Sequence, residues 1–307
     1  MDRSVFDRNL KRETNLLYEG SRSQIINSLK NISEAFQSDK YSKSDKIEFF
    51  QESLIRALLP LLAYSYDSVR EKTLILIESI LSLISEEEGS LKNEEIGRSI
   101  LIAVFERIST HPFKEEIEEI RLKIVNFLIE KLDFLKNSIS SVQEFFFLSL
   151  SKILSDKFPE SKKKGFELII DSCSIISTVM EKCPKDVVLA LSLNLRHSHW
   201  RVRQGAVYAL TSLLSIPSLG CQFDQIKSLM YEIGEDKNRE VRLSITHFYS
   251  KCLLSFELED LKRMESDMIS SLLYLVEDQD PNIKEEAMNG LIEFSERRKN
   301  LFDKFNC

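Results

Sequence analysis

Glycine and proline are scarce in this 307-residue chain, with eight of one and six of the other. Together they make up about 5%, against roughly 12% in an average protein. These residues punctuate turns, hairpins and nucleotide-binding loops. Their scarcity excludes an all-β sandwich and a doubly wound α/β enzyme. The glycines are isolated, so no phosphate-binding loop can be drawn from them. There is no paired Cys-x-x-Cys and no His-Glu-x-x-His. The five cysteines, Cys173, Cys183, Cys221, Cys252 and Cys307, are odd in number and widely spaced. That pattern argues against a disulfide framework and fits a reducing compartment. No stretch reaches the roughly eighteen uninterrupted apolar residues of a membrane span. The first residues, Met1 to Phe6, lack the apolar core of a signal peptide. A cytoplasmic location follows as the expectation, with the nucleus second.

What is present is apolar and charged. Hydrophobic residues are 43% and charged residues 30%, enough to build a core and too apolar for disorder. The class that remains is all-α. Net charge is −7, which argues against nucleic acid as a partner of the whole chain. The charge is uneven, because residues 151–203 hold ten Lys/Arg and six Asp/Glu, a local +4.

One local pattern recurs along the chain. An apolar residue is followed by a basic one, and both open an apolar-periodic helix. The copies are Val69-Arg70, Ile120-Arg121, a degenerate Ser161-Lys162, Val202-Arg203, Val241-Arg242 and Ile283-Lys284, at intervals of 51, 41, 41, 39 and 42 residues. A period near 40 with two helices per unit is the signature of HEAT-type repeats. Each pair starts a second helix, B, with apolar residues at i, i+3, i+4 and i+7. Val202, Ala206, Ala209, Leu210 and Leu213 form one such stripe, and Val241, Ile245, Phe248, Tyr249 and Cys252 another. A first helix, A, precedes each: residues 47–62, 96–108, 142–154, 187–195, 223–233 and 264–276. Such a pair cannot bury its apolar face alone and must stack on its neighbours. The expected fold is therefore a HEAT/armadillo-like α-solenoid. Residues 1–44 are read as a degenerate capping helix pair, 45–300 as about six repeats and 301–307 as a tail. Gly205, Ala206 and Ala287 suit close helix approach. Segments 37–45, 85–93 and 109–115 are expected as exposed loops.

Asp67, Asp236, Asp278 and Asp280 recur just ahead of the B helices. Aspartate there can satisfy free backbone N–H groups and complement the helix dipole. Stacking could also bring the Asp of one unit to Arg70, Arg203 or Arg242 of the next, a ladder of bidentate pairs.

Little in the sequence proposes chemistry. His197 and His199 form a close pair, but no carboxylate or thiol follows to complete a metal site. No catalytic constellation, cofactor or metal is expected. Glu115-Glu116 and Glu118-Glu119 read as exposed helix surface. Lys162, Lys163 and Lys164 open a B helix inside the basic band, and reversing all three is expected to leave the fold intact. Trp200 is the single tryptophan, set beside Arg201 in an A–B loop. These five residues, with Tyr208, Thr246 and His247 as exposed B-helix positions, are the expected protein contacts.

Several stretches resemble a known family. Leu154 to Lys163, with its Phe158-Pro159-Glu160 core, and Leu195 to Ala206, with His199-Trp200-Arg201-Val202-Arg203, look like repeats of the dynein axonemal assembly factor family of HEAT-repeat type. Asp236 to Arg242 and Glu277 to Lys284 follow in the same order, and Leu10 to Leu17 is similar to the family's opening helix. Ser161 departs from the apolar anchor the family tends to place there. Family members usually have more repeats, so the likeness is to a short form or an N-terminal part. The resemblance implies a cytoplasmic, non-catalytic scaffold for preassembly of axonemal dynein arms. Its implied partners are dynein chains, other assembly factors and chaperones. The competing expectation is a HEAT-repeat transport or chromatin adaptor that binds protein signals or nucleic acid.

Overall fold

A computed structural model describes residues 3–84, 91–179, 185–215, 227, 229–256 and 258–305. Cys183, Cys221, Cys307 and residues 223–226 and 228 of the helix expected over 223–233 lie outside them. All regular structure among the described residues is helical. The chain divides into two compact units, residues 1–152 and 153–307.

The first unit opens with α1 (Arg3–Glu19) and α2 (Arg22–Gln37). Ser21 and Gln24 form a capping box at the start of α2, which satisfies two otherwise free N–H groups. Next come α3 (Lys43–Phe49), a π-helical turn (Phe50–Leu54) and α4 (Ile55–Leu61). Pro60 lies inside α4 and has no N–H for the ladder. The B helix α5 (Asp67–Ile84) buries Val69, Leu76, Ile77, Ile80 and Ile84, an i, i+3/i+4 stripe. Then follow α6 (Leu91–Ile108), α7 (Glu118–Glu130), α8 (Leu132–Ile139) and α9 (Gln143–Leu154).

The expected loops shorten accordingly. Lys43 to Asp45 are already helical, and the Lys46 ammonium just beyond donates to Ser38 O at 2.8 Å. Residues 91–93, expected in a loop, open α6. The third A helix begins at Leu132 rather than 142, with a 3-10 turn at Ser140–Val142 between α8 and α9. Segment 109–115 is non-helical as expected, but Ser109 and Glu115 within it are buried.

The second unit starts in the last turn of α9. It continues with α10 (Pro159–Val179), α11 (Lys185–Asn194), α12 (Trp200–Ser212), α13 (Arg239–Ser255), α14 (Leu258–Val276) and α15 (Pro281–Phe305). Residues 229–234 are helical as well. Pro159 and Pro281 stand at the first helical position, where a missing N–H costs nothing. The B helices pack in sequence, α10 on α12, α12 on α13 and α13 on α15. Both predicted stripes are inside, with Val202, Ala206, Ala209, Leu210, Val241, Ile245, Phe248 and Cys252 without measurable exposure. Close approach explains Gly205: a Cβ there would stand 2.6 Å from the Phe166 ring of α10. Cys173 and Cys252 are buried thiols outside any disulfide, and burial pushes the Cys252 thiol well up. No described helix is long and apolar enough to cross a membrane.

Candidate functional site

The loops between A and B helices obey one rule. At the start of α5, α7, α12 and α13 an arginine turns its guanidinium back on its own loop, and Arg70, Arg203 and Arg242 also reach forward to the next. The Nη1 of Arg203 donates to His197 O and Ser198 O, six and five residues earlier. The Nη1 of Arg70, Arg121 and Arg242 donates to the same two positions of their loops. The other edge of the fork grips a carboxylate of the following unit. Arg203 Nε and Nη2 meet Asp236 at 2.6 and 2.8 Å. Arg242 meets Asp278 at 2.6 and 3.0 Å, and in the first unit Arg70 meets Glu115 at 2.7 Å twice.

The carboxylate has a second task. It accepts the N–H two residues on, from Ile117 to Glu115, from Asn238 to Asp236 and from Asp280 to Asp278. A planar fork against a carboxylate is the strongest common ion-pair geometry. The Arg242 hydrogen bond holds the Asp278 carboxyl below its usual range, and Arg242 is raised in turn.

The ladder was expected, but in the opposite sense: the Arg of one unit reaches the acid of the next. Its first rung was missed, because Glu115 is no surface residue but a buried acid that takes Arg70. Capping is divided among other residues. His199 and Asn238 cap α12 and α13, Asp280 accepts from Asn282 N, and Asp67 accepts from Ser68 N.

All eight expected contact residues fall in the second unit, on three successive B helices; Trp200 and Arg201, expected in a loop, open α12. Lys163 and Lys164 are paired within α10, to Glu160 and Glu167, each at 2.6 Å. Lys162 donates to Asn194 Oδ1 at 3.0 Å. Burial holds its ammonium below the usual range, opposed by Asp156. Reversing all three lysines is therefore not structurally silent, since Lys162 joins two elements. Trp200 is half-buried, stacked on His199 with Arg201 4.8 Å over its ring. Tyr208 is exposed. His247 is half-exposed and shares a 2.9 Å contact with Glu286.

Thr246 is a correction. It is wholly buried and donates to Arg242 O, so it offers nothing to a partner. Its register explains this. Phe166, Val207 and Thr246 lie four residues after the basic residue and are buried, whereas Glu167, Tyr208 and His247 lie five after and face out. One residue is a 100° step around the helix.

Open depressions lie over two rungs, one lined by Tyr64, Arg70, Arg107 and Lys114, the other by Asp236, Arg242, Tyr274 and Asp278. Arg70, Asp236, Arg242 and Asp278 among them are engaged in the rungs themselves. No cluster of three metal-ligating side chains occurs among the described residues.

Helix pairs stacked through B helices and tied by loop rungs define an α-solenoid of the HEAT/armadillo kind. Residues 16–297 match the family described as "Dynein axonemal assembly factor 5-like, TPR repeats", and the chain belongs to it. The intervals of this chain are nearer those of HEAT units than the 34 residues of a TPR. Dynein axonemal assembly factor 5 of Xenopus laevis is 21% identical over 236 residues, which are 77% of this chain and 27% of that protein. The chain thus spans about a quarter of the curated relative it matches. Among solved structures, Cex1p is similar at a TM-score of 0.61 and 14% identity, over 96% of this chain and 54% of that one. The HEAT-like repeat protein of Thermococcus onnurineus NA1 is similar at a TM-score of 0.52 and 13% identity, over 87% and 97%. At these identities the structural likenesses speak for the fold.

Proposed function

We propose that this chain is a non-catalytic scaffold in the cytoplasmic preassembly of axonemal dynein arms. It would hold dynein chains together with other assembly factors or chaperones. The observation that carries the reading is the family match over residues 16–297. The site geometry supports it, since the polar groups gathered in the loops are spent on holding repeats together. What remains for a partner is the outward row of the second unit's B helices. Tyr208 and His247 stand at equivalent positions, with Lys163 and Lys164 on α10 and the Trp200–Arg201 pair at the loop edge. An aromatic and cationic surface of this kind suits protein anchors.

Affinity purification of the tagged chain from cells building motile cilia tests the reading. Axonemal dynein heavy chains and other assembly factors should be recovered, and should be absent from purifications with a chain whose α12 and α13 surface is altered. Recovery of transport cargo, or salt-steep binding to nucleic acid, in place of dynein would overturn it in favour of an adaptor.

A further inference from the structure

One rung of the second unit is built from the wrong residues. The rule places a basic residue six positions after an acid that belongs to the preceding rung. Asp156 and Lys162, His197 and Arg203, and Asp236 and Arg242 are the successive loop and helix positions of this unit. Asp156 follows the rule, accepting from Phe158 N at 3.1 Å. The rung from α10 to the next loop therefore sets Lys162 against His197, where its neighbours set Arg203 against Asp236 and Arg242 against Asp278.

Both ends have lost the pairing group. Lys162 has no fork and donates to the neutral Asn194 Oδ1. His197 keeps only the acid's second task, its Nδ1 accepting from His199 N at 3.1 Å. A nitrogen that accepts this bond carries no proton. The ionisable groups facing the ring are Lys162 from α10, His199 from its own loop and Arg203 from α12. Burial first, then Lys162, holds the imidazole below its ordinary range.

A third, independent departure lies one residue away. Ser161 occupies the anchor position held elsewhere by Val69, Ile120, Val202, Val241 and Ile283. It is wholly buried and its hydroxyl has no hydrogen-bond partner. The start of α10 thus lacks the apolar anchor, the guanidinium and the facing carboxylate together.

We infer that the step from α10 to loop 195–199 is an acid-sensitive weak joint, which opens before the flanking rungs of the same unit. A proton on His197 removes the acceptor for His199 N–H and sets a third cation beside Lys162 and Arg203. Because the folded imidazole binds its proton less readily than an unfolded one, the joint's stability is full above the ordinary histidine range, about pH 6.5. It is lost as pH falls through the lower folded value. The joint separates the lysines of α10 from Trp200, Arg201 and Tyr208 of α12, so its opening changes the spacing of those groups. The inference rests on the rung geometry and not on what the scaffold binds.

Hydrogen–deuterium exchange of the full chain tests it, with rates corrected for the intrinsic pH dependence of exchange. Peptides over 158–168 and 195–206 should exchange at least about tenfold faster than those over 236–248 and 278–290, a factor of ten being about 1.4 kcal/mol of opening free energy. The difference should widen between pH 7.5 and 5.5. The double variant Lys162→Arg, His197→Asp should bring the joint to the protection of the Arg203–Asp236 rung and abolish the pH response. His197→Asn, which keeps an acceptor but cannot titrate there, should abolish the pH response alone. Equal protection at all rungs of the wild type would overturn the inference. So would a pH response that survives in both variants.

Discussion

Arg203 and Asp236 face each other fork to fork across 33 residues of sequence, at 2.6 and 2.8 Å, with only 16% and 7% of their side chains exposed. The same guanidinium closes its own loop through two carbonyls. The pair therefore fixes each loop and its distance to the next. Arg203→Met or Asp236→Ala alone should cost about 2–3 kcal/mol, because each leaves a desolvated partner. The double variant should cost little more than either single one. Urea unfolding of the four proteins gives the coupling; costs that simply add would show that the rung is ornamental.

Ser161→Val should stabilise the second unit by about 1–2 kcal/mol. It removes a buried hydroxyl without a partner and restores a β-branched apolar side chain, as the five equivalent positions have. Thermal unfolding would rise by a few degrees. A lower melting temperature would mean that the pocket has no room for the extra methyl group.

Val202 has no exposed surface. Val202→Asp should destabilise by about 3–5 kcal/mol, because an unpaired carboxylate would enter the packing between α12 and its neighbours. Loss of helical circular dichroism at a lower temperature is the readout. Unchanged melting would overturn the repeat register.

Lys163→Glu with Lys164→Glu is the clean test of the basic band, since Lys162 is left to hold Asn194. Two surface i, i+3 pairs are lost, each worth at most a few tenths of a kcal/mol. The fold should survive while an acidic client binds more slowly and with less salt sensitivity. Pull-downs of dynein chains at two salt concentrations decide it. Equal recovery in all lanes would mark the band as solvated surface.

Glu78 on α5 is pushed up to about 7, by burial first and then by the neighbouring carboxyl of Glu130. The folded state thus holds this proton more tightly than the unfolded chain. The resulting stability is complete below about pH 4.5 and disappears as pH rises through 7. Melting temperature measured from pH 5 to 8 should fall with a component that Glu78→Gln removes. An identical slope in the variant would place the titration elsewhere.

The sequence by itself determined the class and the period. Few turn residues, apolar stripes at helical spacing and basic anchors about 40 residues apart leave only stacked helix pairs, because no single pair can bury its own stripe. It also displayed the degenerate anchor at Ser161 and Lys162. The exposure expected of Thr246 fails on helical register, because it lies at the same offset from Arg242 as the buried Val207 from Arg203. Tertiary structure alone decided the rest. A loop acid lies between two neighbours, and composition does not say which one it faces; the stacking direction turned Asp236 toward Arg203 and Asp278 toward Arg242. Glu115 reads as one of four surface acids until α5 brings Arg70 to it, which makes burial of the pair favourable. His197 takes on meaning only once the stack sets it opposite Lys162, where the next two rungs each have an acid facing an arginine.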